Sequence, residues 1–571
     1  MPHKAERTRR EFLGAETGTI RKTWRGKISV ALTYPNYYHV GMSNLGFQTV
    51  YQLTNDFDDV VCERVFLPEG EGRADGRLRS IESGRRLADF DIIAFSISFE
   101  NDYTNLLTVL AGAGIPLRSS ERTPPHPLII AGGVTTLLNP EPIAPFVDCF
   151  LIGEAEPILP NFFHVFRTHS QSETLLEALA RHVPGAYVPA FYQVAYETEG
   201  TISEFRPKGD FPVKVRRVVA EDLSSWDTCT TVLTRHTSFD ETHLIEAARG
   251  CPHGCRFCAA GFVYRPPRLR TITQLEDCFD KSAPHARRVG LMASAVLDIP
   301  YLEDLCRSAT DRDFQVSFSS LRADLLTPEF VEVLKGAGVI TATIAPDAGS
   351  ERMRRVINKG LCEEDVLRAT ELLVGGGIPN LKLYFMVGLP QETMSDVEAI
   401  IDLCKKVRHR FLKISRKRAR LGQIVVSLSS FVPKPFTPFQ WVSMEDVRVL
   451  KAKIKHVKDG LRRVANVKVH TDLPKWAYIQ ALLSRGDRRT AELLAVAHKN
   501  KGNWSKTLKS SFINPDFYVY RERPLDEIFP WDFIDHGIKK AFLAEEYNKA
   551  LRAETSPGCD VSHCKACGVC E

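Results

Sequence analysis

The chain has 571 residues, a prior of roughly three to four domains at about 150 residues each. Hydrophobic residues make up 44% and charged residues 25%, which excludes disordered and fibrous classes. Lys plus Arg number 75 against 70 acids, a net charge of +5, so the chain as a whole is no polycation for nucleic acid, and only a local basic patch is left to consider.

The first ten residues carry charge with no apolar run behind them. No stretch reaches the ~18–20 uncharged apolar residues that cross a bilayer. A cytoplasmic protein with neither signal peptide nor membrane span is therefore expected. In that reducing compartment disulfides are not maintained, and clusters among the 14 cysteines point to metal.

Short β-branched runs at 27–34, 60–66, 91–99, 128–131 and 147–152 alternate with helical stretches. Strands apolar on both faces, separated by helices, predict a doubly wound, Rossmann-like parallel sheet over residues 1–165. Pro35 is expected to end the first strand. The loops after these strands lie on the rim where such sheets bind ligands. Residues 166–240 read as a linker or small subdomain.

From 241 to 444 the alternation returns, with strand candidates at 243–248, 289–293, 315–319, 340–345, 381–387 and 424–432. Six βα units in this span predict a barrel, or an open six-stranded part of one. Gly375-Gly376-Gly377 is read as the stop of the helix that begins at Glu363. Residues 445–571 are expected to be mainly helical, with a cysteine-rich tail.

Directly after the strand at 243–248 stands C-P-H-G-C-R-F-C, with Cys251, Cys255 and Cys258. Three thiolates on one tight loop suit a soft metal centre, and no fourth cysteine lies nearby to close a structural zinc site. One coordination position is thus left for something else to bind. Three unrelated buried thiols are the plain alternative.

C-x3-C-x2-C with an aromatic residue, Phe257, before its last cysteine resembles the signature of the radical S-adenosylmethionine (radical SAM) superfamily. That resemblance implies a 4Fe–4S cluster held by Cys251, Cys255 and Cys258. Its fourth iron takes the amino and carboxylate groups of S-adenosylmethionine, whose reductive cleavage yields a radical that abstracts hydrogen from a substrate. It also implies a partial six-stranded (β/α) barrel. Carried over position by position, Ala293 and Ser294 follow the second strand where the family binds the cofactor's amino group, here through backbone because the usual acid is missing. Ser319 and Arg322 stand where ribose or carboxylate is held, and Asp347 where a ribose hydroxyl is met. Gly388 fits the adenine position, with Glu392 displaced by one. Each has an ordinary alternative: Asp347 or Ser350 as a helix cap, Arg322 in a surface ion pair, and residues 388–390 as a strand-ending turn.

The front half resembles the cobalamin-binding-like domain of one radical SAM subgroup, mainly through residues 128–156. Gly132, Gly133 and Gly153 would let backbone approach a bulky ring or nucleotide tail. The Asp-x-His-x-x-Gly motif that supplies a cobalt-ligating histidine is absent, and His39 lies on the rim outside any such pattern. Cobalamin and an emptied scaffold both remain open.

Cys559, Cys564, Cys567 and Cys570 crowd the tail, and the last three repeat C-x2-C-x2-C. Four thiolates suit a second iron–sulfur cluster or a zinc site, with His563 able to replace one thiol. If they hold a second cluster, the tail must fold back toward the barrel. Residues 405–420 hold nine Lys and Arg, and no acid lies between Asp402 and Glu445. The strip reads either as a grip for RNA or as a solvated helix face. Residues 431–441, 485–489 and 530–532 also look like that subgroup.

The expected protein is a radical SAM enzyme served by an electron donor such as a flavodoxin or ferredoxin. Alternatives are a cobalamin-dependent methyltransferase, an RNA-modifying radical enzyme, and a zinc-containing nucleic-acid-binding protein without catalysis.

Overall fold

Residues 28–34 (I-S-V-A-L-T-Y) place branched apolar side chains on both faces of an extended run, which suits the middle of a buried sheet. In the computed structural model, which describes residues 2–69, 78–170, 172–282, 284–417 and 421–570, this run is the core of β1 (Ile28–Tyr37). With it pair β2 (Val60–Leu67), β3 (Ile92–Ser96), β4 (Leu128–Gly132), β5 (Cys149–Leu151) and β6 (Ala186–Tyr187). The order is β2-β1-β3-β4-β5-β6, parallel except for the last pair. Ala31, Val60, Ile92, Ile93 and Ile129 are fully buried in it.

Pro35 does not end β1. Lacking an N–H, it is passed by a register shift against β2 between Thr33 and Tyr37, and the strand resumes. Because β2 lies on one side of β1 and β3 to β5 on the other, the chain reverses direction between β1 and β3. The crevice outside the carboxyl ends of those two strands is where doubly wound sheets hold ligands.

Two compact units make up the chain. The first comprises residues 1–242, 482–518 and 526–536, and the second 243–481, 519–525 and 537–571. In the first, the Asn139 side chain donates to the carbonyls of Ser484 (3.1 Å) and Gly486 (2.7 Å), and Arg488 pairs with Glu141 at 3.1 Å. Strand Val215–Arg216 lies parallel to Ile534–Asp535.

The second unit carries β7 (Thr242–Glu246), β8 (Arg288–Met292), β9 (Gln315–Phe318), β10 (Thr341–Asp347), β11 (Asn380–Val387), β12 (Ile424–Ser430) and β13 (Val467–Thr471). They pair as β7-β8-β9 and β10-β11-β12-β13. A parallel bridge, with Leu321 N–H donating to the Thr343 carbonyl at 2.8 Å, joins the two sets into one partial (β/α) barrel. Helices Leu302–Asp311, Pro328–Gly336, Glu363–Gly376 and Met394–Lys417 connect successive strands. Glu363–Gly376 stops at Gly377 in the left-handed region (φ 105°), as the glycine run predicts.

The mixed α/β architecture agrees with the sequence reading, with a strand added to each of the two main sheets: the antiparallel β6 in the first unit and β13 in the second. β13 alternates V-K-V-H-T at the edge of the sheet with no residue fully buried, so its hydrophobic signal is too weak to read. Among the described residues no helix is long and apolar enough to cross a membrane.

Gly153, just past β5, has φ +149°, and a Cβ there would lie 2.5 Å from the Val218 carbonyl oxygen and 2.7 Å from its nitrogen. Gly153→Ala is expected to cost about 2 kcal/mol or more. The urea midpoint of the first unit, followed by fluorescence, should fall accordingly. An unchanged midpoint would mean that residue 218 yields freely.

Candidate active site

β7 ends at Glu246, and the chain at once forms a two-residue antiparallel ribbon, Ala248–Arg249 against Arg268–Leu269, that closes the base of the loop 250–267. Gly250 enters this loop at φ +88°, where a Cβ would be 2.5 Å from the Tyr264 carbonyl oxygen. Only glycine fits that corner. Inside the loop Cys258 N–H donates to the Cys255 carbonyl (3.0 Å) and Gly261 N–H to that of Cys258 (3.1 Å), so two of the three thiols share one turn.

Cys251, Cys255 and Cys258 are free thiols. Burial pushes all three up, Cys255 to about 12. Neighbouring thiols add to the rise at Cys255, whereas Lys359 opposes it at Cys255 and Cys258, and Arg322 opposes it at Cys251. Backbone N–H groups of His253, and of Ala260 and Gly261, point at Cys251 and Cys258 respectively. Among the described residues no group of three or more His, Cys, Asp or Glu side chains is arranged to hold a metal ion as it stands. The trio thus shares one loop and one electrostatic neighbourhood without forming a closed cage. Three soft donors with no fourth beside them nonetheless fit a cluster that keeps one iron open.

Lys359 has no counterpart in the sequence reading. Its Nζ lies 2.7 Å from Asp347 Oδ2, with each side chain 12% exposed. Burial works against the ammonium charge, but Asp347 and Cys255 outweigh it and hold Lys359 above its usual range. Asp347 closes β10 at φ +62° and is therefore an ion-pair partner, not a helix cap. Ser350 is the cap: it accepts from Met353 N–H at 3.1 Å and donates to Asp396 at 2.6 Å.

Arg322 forms a two-pronged pair with Asp324 (3.0 and 2.8 Å) within electrostatic range of Cys255 and Asp298. Ser319 Oγ donates to the Ala293 carbonyl at 2.9 Å, tying the ends of β9 and β8. Ser294 is exposed and Phe257 half-buried. Gly388 is held by a different set: its N–H donates to Glu392 (2.8 Å), which pairs with Lys453 (2.9 Å), itself paired to Glu445 (2.8 Å). The structure therefore gathers Cys251, Cys255, Cys258, Arg322 and Asp347, adds Lys359, and commits Glu392 to a buried charge network.

The tail cysteines belong to the same unit. Cys559 N–H donates to the carbonyl of Pro252, beside Cys251, at 2.6 Å. The tail folds back onto the thiol loop.

In the first unit two of the three rim glycines face their own chain. A Cβ at Gly133 would meet Ile97 O at 2.4 Å, and Gly153 abuts Val218; Gly132 has only Leu151 O, at 3.8 Å. His39 is half exposed, 3.5 Å from Glu69 and stacked on Tyr37. An open groove of about 820 Å³ elsewhere on this unit is lined by Arg118, Arg488 and Arg489. Each of these already has an acid, namely Glu492, Glu141 and Asp487. Of the basic strip, Lys406 pairs with Glu363 and Arg410 with Glu371, while residues 418–420 lie outside the described residues.

A parallel (β/α) barrel with a three-cysteine loop after its first strand defines a radical SAM enzyme, and the chain belongs to that superfamily. The family model "Radical SAM superfamily" matches residues 245–404, and "Radical SAM proteins, N-terminal" matches 46–189. An uncharacterized protein of Methanocaldococcus jannaschii is 30% identical over 518 residues, 90% of this chain and 98% of that one. The anaerobic magnesium-protoporphyrin IX monomethyl ester cyclase of Rubrivivax gelatinosus is 27% identical over 158 residues, 26% of this chain and 28% of its own. Among solved structures, the cobalamin-dependent S-adenosylmethionine radical enzyme OxsB aligns over 69% of this chain and 56% of its own, at 15% identity and a TM-score of 0.45. Membership implies a 4Fe–4S cluster, S-adenosylmethionine and a source of electrons, and it sets aside the non-catalytic reading.

Lys359→Met leaves the Asp347 carboxylate buried without its partner and is expected to cost about 3 kcal/mol. Adding Asp347→Asn should recover about 1 kcal/mol or more, because the pair is coupled. Guanidinium unfolding of the four-member cycle measures this, and strict additivity would contradict the pairing.

Proposed function

We propose that Cys251, Cys255 and Cys258 hold the 4Fe–4S cluster and that S-adenosylmethionine lies against the ends of β8, β9 and β10. The observation that carries this is the placement of three free, largely buried thiols in one clamped loop, next to Lys359, Arg322 and Asp347. When bound, the cluster supplies the electron that cleaves the sulfonium of S-adenosylmethionine.

The protein's own residues do the rest. Lys359 and Arg322 offset negative charge gathered at the loop, which buried thiolates need in order to ionise. The backbone N–H groups of His253, Ala260 and Gly261 donate toward sulfur and steady that charge. The bond from Ser319 to the Ala293 carbonyl fixes the turn after β8, where backbone groups of Ala293 and Ser294 meet the cofactor's amino group. Arg322, already oriented by Asp324, would take the carboxylate end. Asp347, its orientation set by Lys359, would accept from a ribose hydroxyl.

Gly388 has weaker support as an adenine contact, since its N–H is taken by Glu392. Cobalamin draws no support from the rim glycines, two of which are filled by the chain's own backbone. RNA draws none from residues 405–417, where acids of the same unit engage Lys406 and Arg410. A flavodoxin or ferredoxin suits the reductant by potential and one-electron chemistry.

Anaerobically reconstituted protein with dithionite and S-adenosylmethionine should release 5′-deoxyadenosine. Alanine at Cys251, Cys255 or Cys258 should lower that yield by about two orders of magnitude or more. Undiminished release from these variants would overturn the assignment.

A further inference from the structure

The last residues of the chain present a folding problem. Between Gly558 and Cys570 the only aliphatic side chains are Val561, Ala566 and Val569, and Val561 is 45% exposed. So little apolar surface does not offset the entropy of ordering a terminal segment without helix or strand. Yet the segment is turned and docked. Cys564 N–H donates to the Asp560 carbonyl (2.8 Å), Gly568 N–H to that of Lys565 (3.2 Å), and Lys539 N–H to that of Cys567 (2.9 Å). Gly568 sits at φ +94° with its Cβ position 2.9 Å from the Gly537 carbonyl oxygen, and Cys567 is only 2% exposed.

What the segment has in abundance is sulfur. Cys559, Cys564, Cys567 and Cys570 are free thiols spaced x4, x2 and x2. The last two intervals match the start of the bacterial ferredoxin spacing, and the first two match the C-x4-C-x2-C of plant-type ferredoxins. Cys559 lies within electrostatic range of the other three and of Arg265, a cation of the thiol loop. The sulfurs do not converge as they stand; the backbone supplies a frame of turns that keeps all four in one neighbourhood. Metal–thiolate bonds are the source of order such a segment lacks, because binding free energy becomes folding free energy.

We propose that Cys559, Cys564, Cys567 and Cys570 hold a second iron–sulfur cluster, built against the loop that carries Cys251. The contact is direct. Cys559 N–H bonds to the Pro252 carbonyl, and Ser556 N–H bonds at 2.9 Å to Asn358 Oδ1, whose Nδ2 donates to the Gly254 carbonyl at 3.1 Å. Loading the tail therefore steadies both ends of the segment 252–254. The site stands whether or not the first trio holds a cluster.

The test is iron, sulfide and zinc content, with absorption near 400 nm, of anaerobically reconstituted full-length protein. One variant replaces Cys251, Cys255 and Cys258 by Ala, and another replaces the four tail cysteines by Ser. The first is expected to keep about half of the wild-type iron and a dithionite-bleachable band, and the second to lose the complementary half. A milder pair, Cys564→Ser and Cys567→Ser singly, covers failure of the fourfold variant to fold and should also lose iron. Hydrogen exchange at 559–570 should speed up at least tenfold on chelation of the trio variant. Zinc instead of iron in the trio variant, no metal there, or full iron in the tail variants would each overturn the proposal. Loss of 5′-deoxyadenosine with the tail's iron intact would bear on the first site alone.

Discussion

Arg256 sits between two of the thiol-bearing positions with none of its surface exposed, and a guanidinium in that position is tolerable only if its donors are met. Nε and one terminal nitrogen reach Glu546 at 3.2 and 3.1 Å; the other terminal nitrogen reaches the carbonyls of Arg355 (3.1 Å), Val356 (3.0 Å) and Glu554 (2.9 Å). Its own N–H donates to the Ile357 carbonyl at 3.0 Å. One side chain thereby joins the thiol loop to the end of helix Glu351–Val356, to helix Lys540–Leu551 and to the chain leading into the tail. Burial lowers the pKa of Arg256 and Glu546 opposes that, so the charge stays and the bonds stay charge-assisted. The position of the thiols follows from this fixed point, since Cys255 and Cys258 lie one and two residues from it.

The electrostatics of the site follow from the same placement. Three largely buried thiols resist ionisation, and Lys359 and Arg322, which oppose that effect, are only partly available to them. Lys359 divides its field between Asp347 and the sulfurs, and Arg322 divides its own between Asp324 and Cys251. A metal ion is the charge that lets soft donors of this kind ionise.

How much of this could be read beforehand depends on distance along the chain. The parallel strands were legible because each is a continuous apolar run bracketed by turn residues, and the trio because its ligands fall within eight residues. Lys359 was not, because I-N-K-G carries no signal until Asp347 is known to end β10 with its side chain buried. Glu546 was not, because its partner is 290 residues away and a lone glutamate on a helix reads as solvated surface. β13 escaped because an edge strand need bury neither face. The spacing of Glu392 and Gly388 points toward a nucleotide, yet Lys453, on helix Val447–Leu461, claims the carboxylate, and no local pattern announces that pairing.

The region from 445 onward carries the deepest consequence of packing over sequence. Read as one helical stretch, it supplies both units in turn: 482–518 and 526–536 complete the first, while 519–525 and 537–571 complete the second. Within the second unit, Arg523 N–H bonds to the Trp441 carbonyl and Met444 N–H to that of Val519, both with ordinary backbone geometry. Backbone bonds thus tie the short stretch 519–525 to residues 441–444. Cutting the chain after the barrel would strip the Asn139 amide of its two carbonyl acceptors and Glu141 of Arg488 in one unit and leave Arg256 without Glu546 in the other. Buried polar groups deprived in this way are costly to leave unpaired. Each unit thus takes part of its own fold from the carboxyl-terminal chain, and the thiol loop depends on a residue that the sequence places 290 positions later.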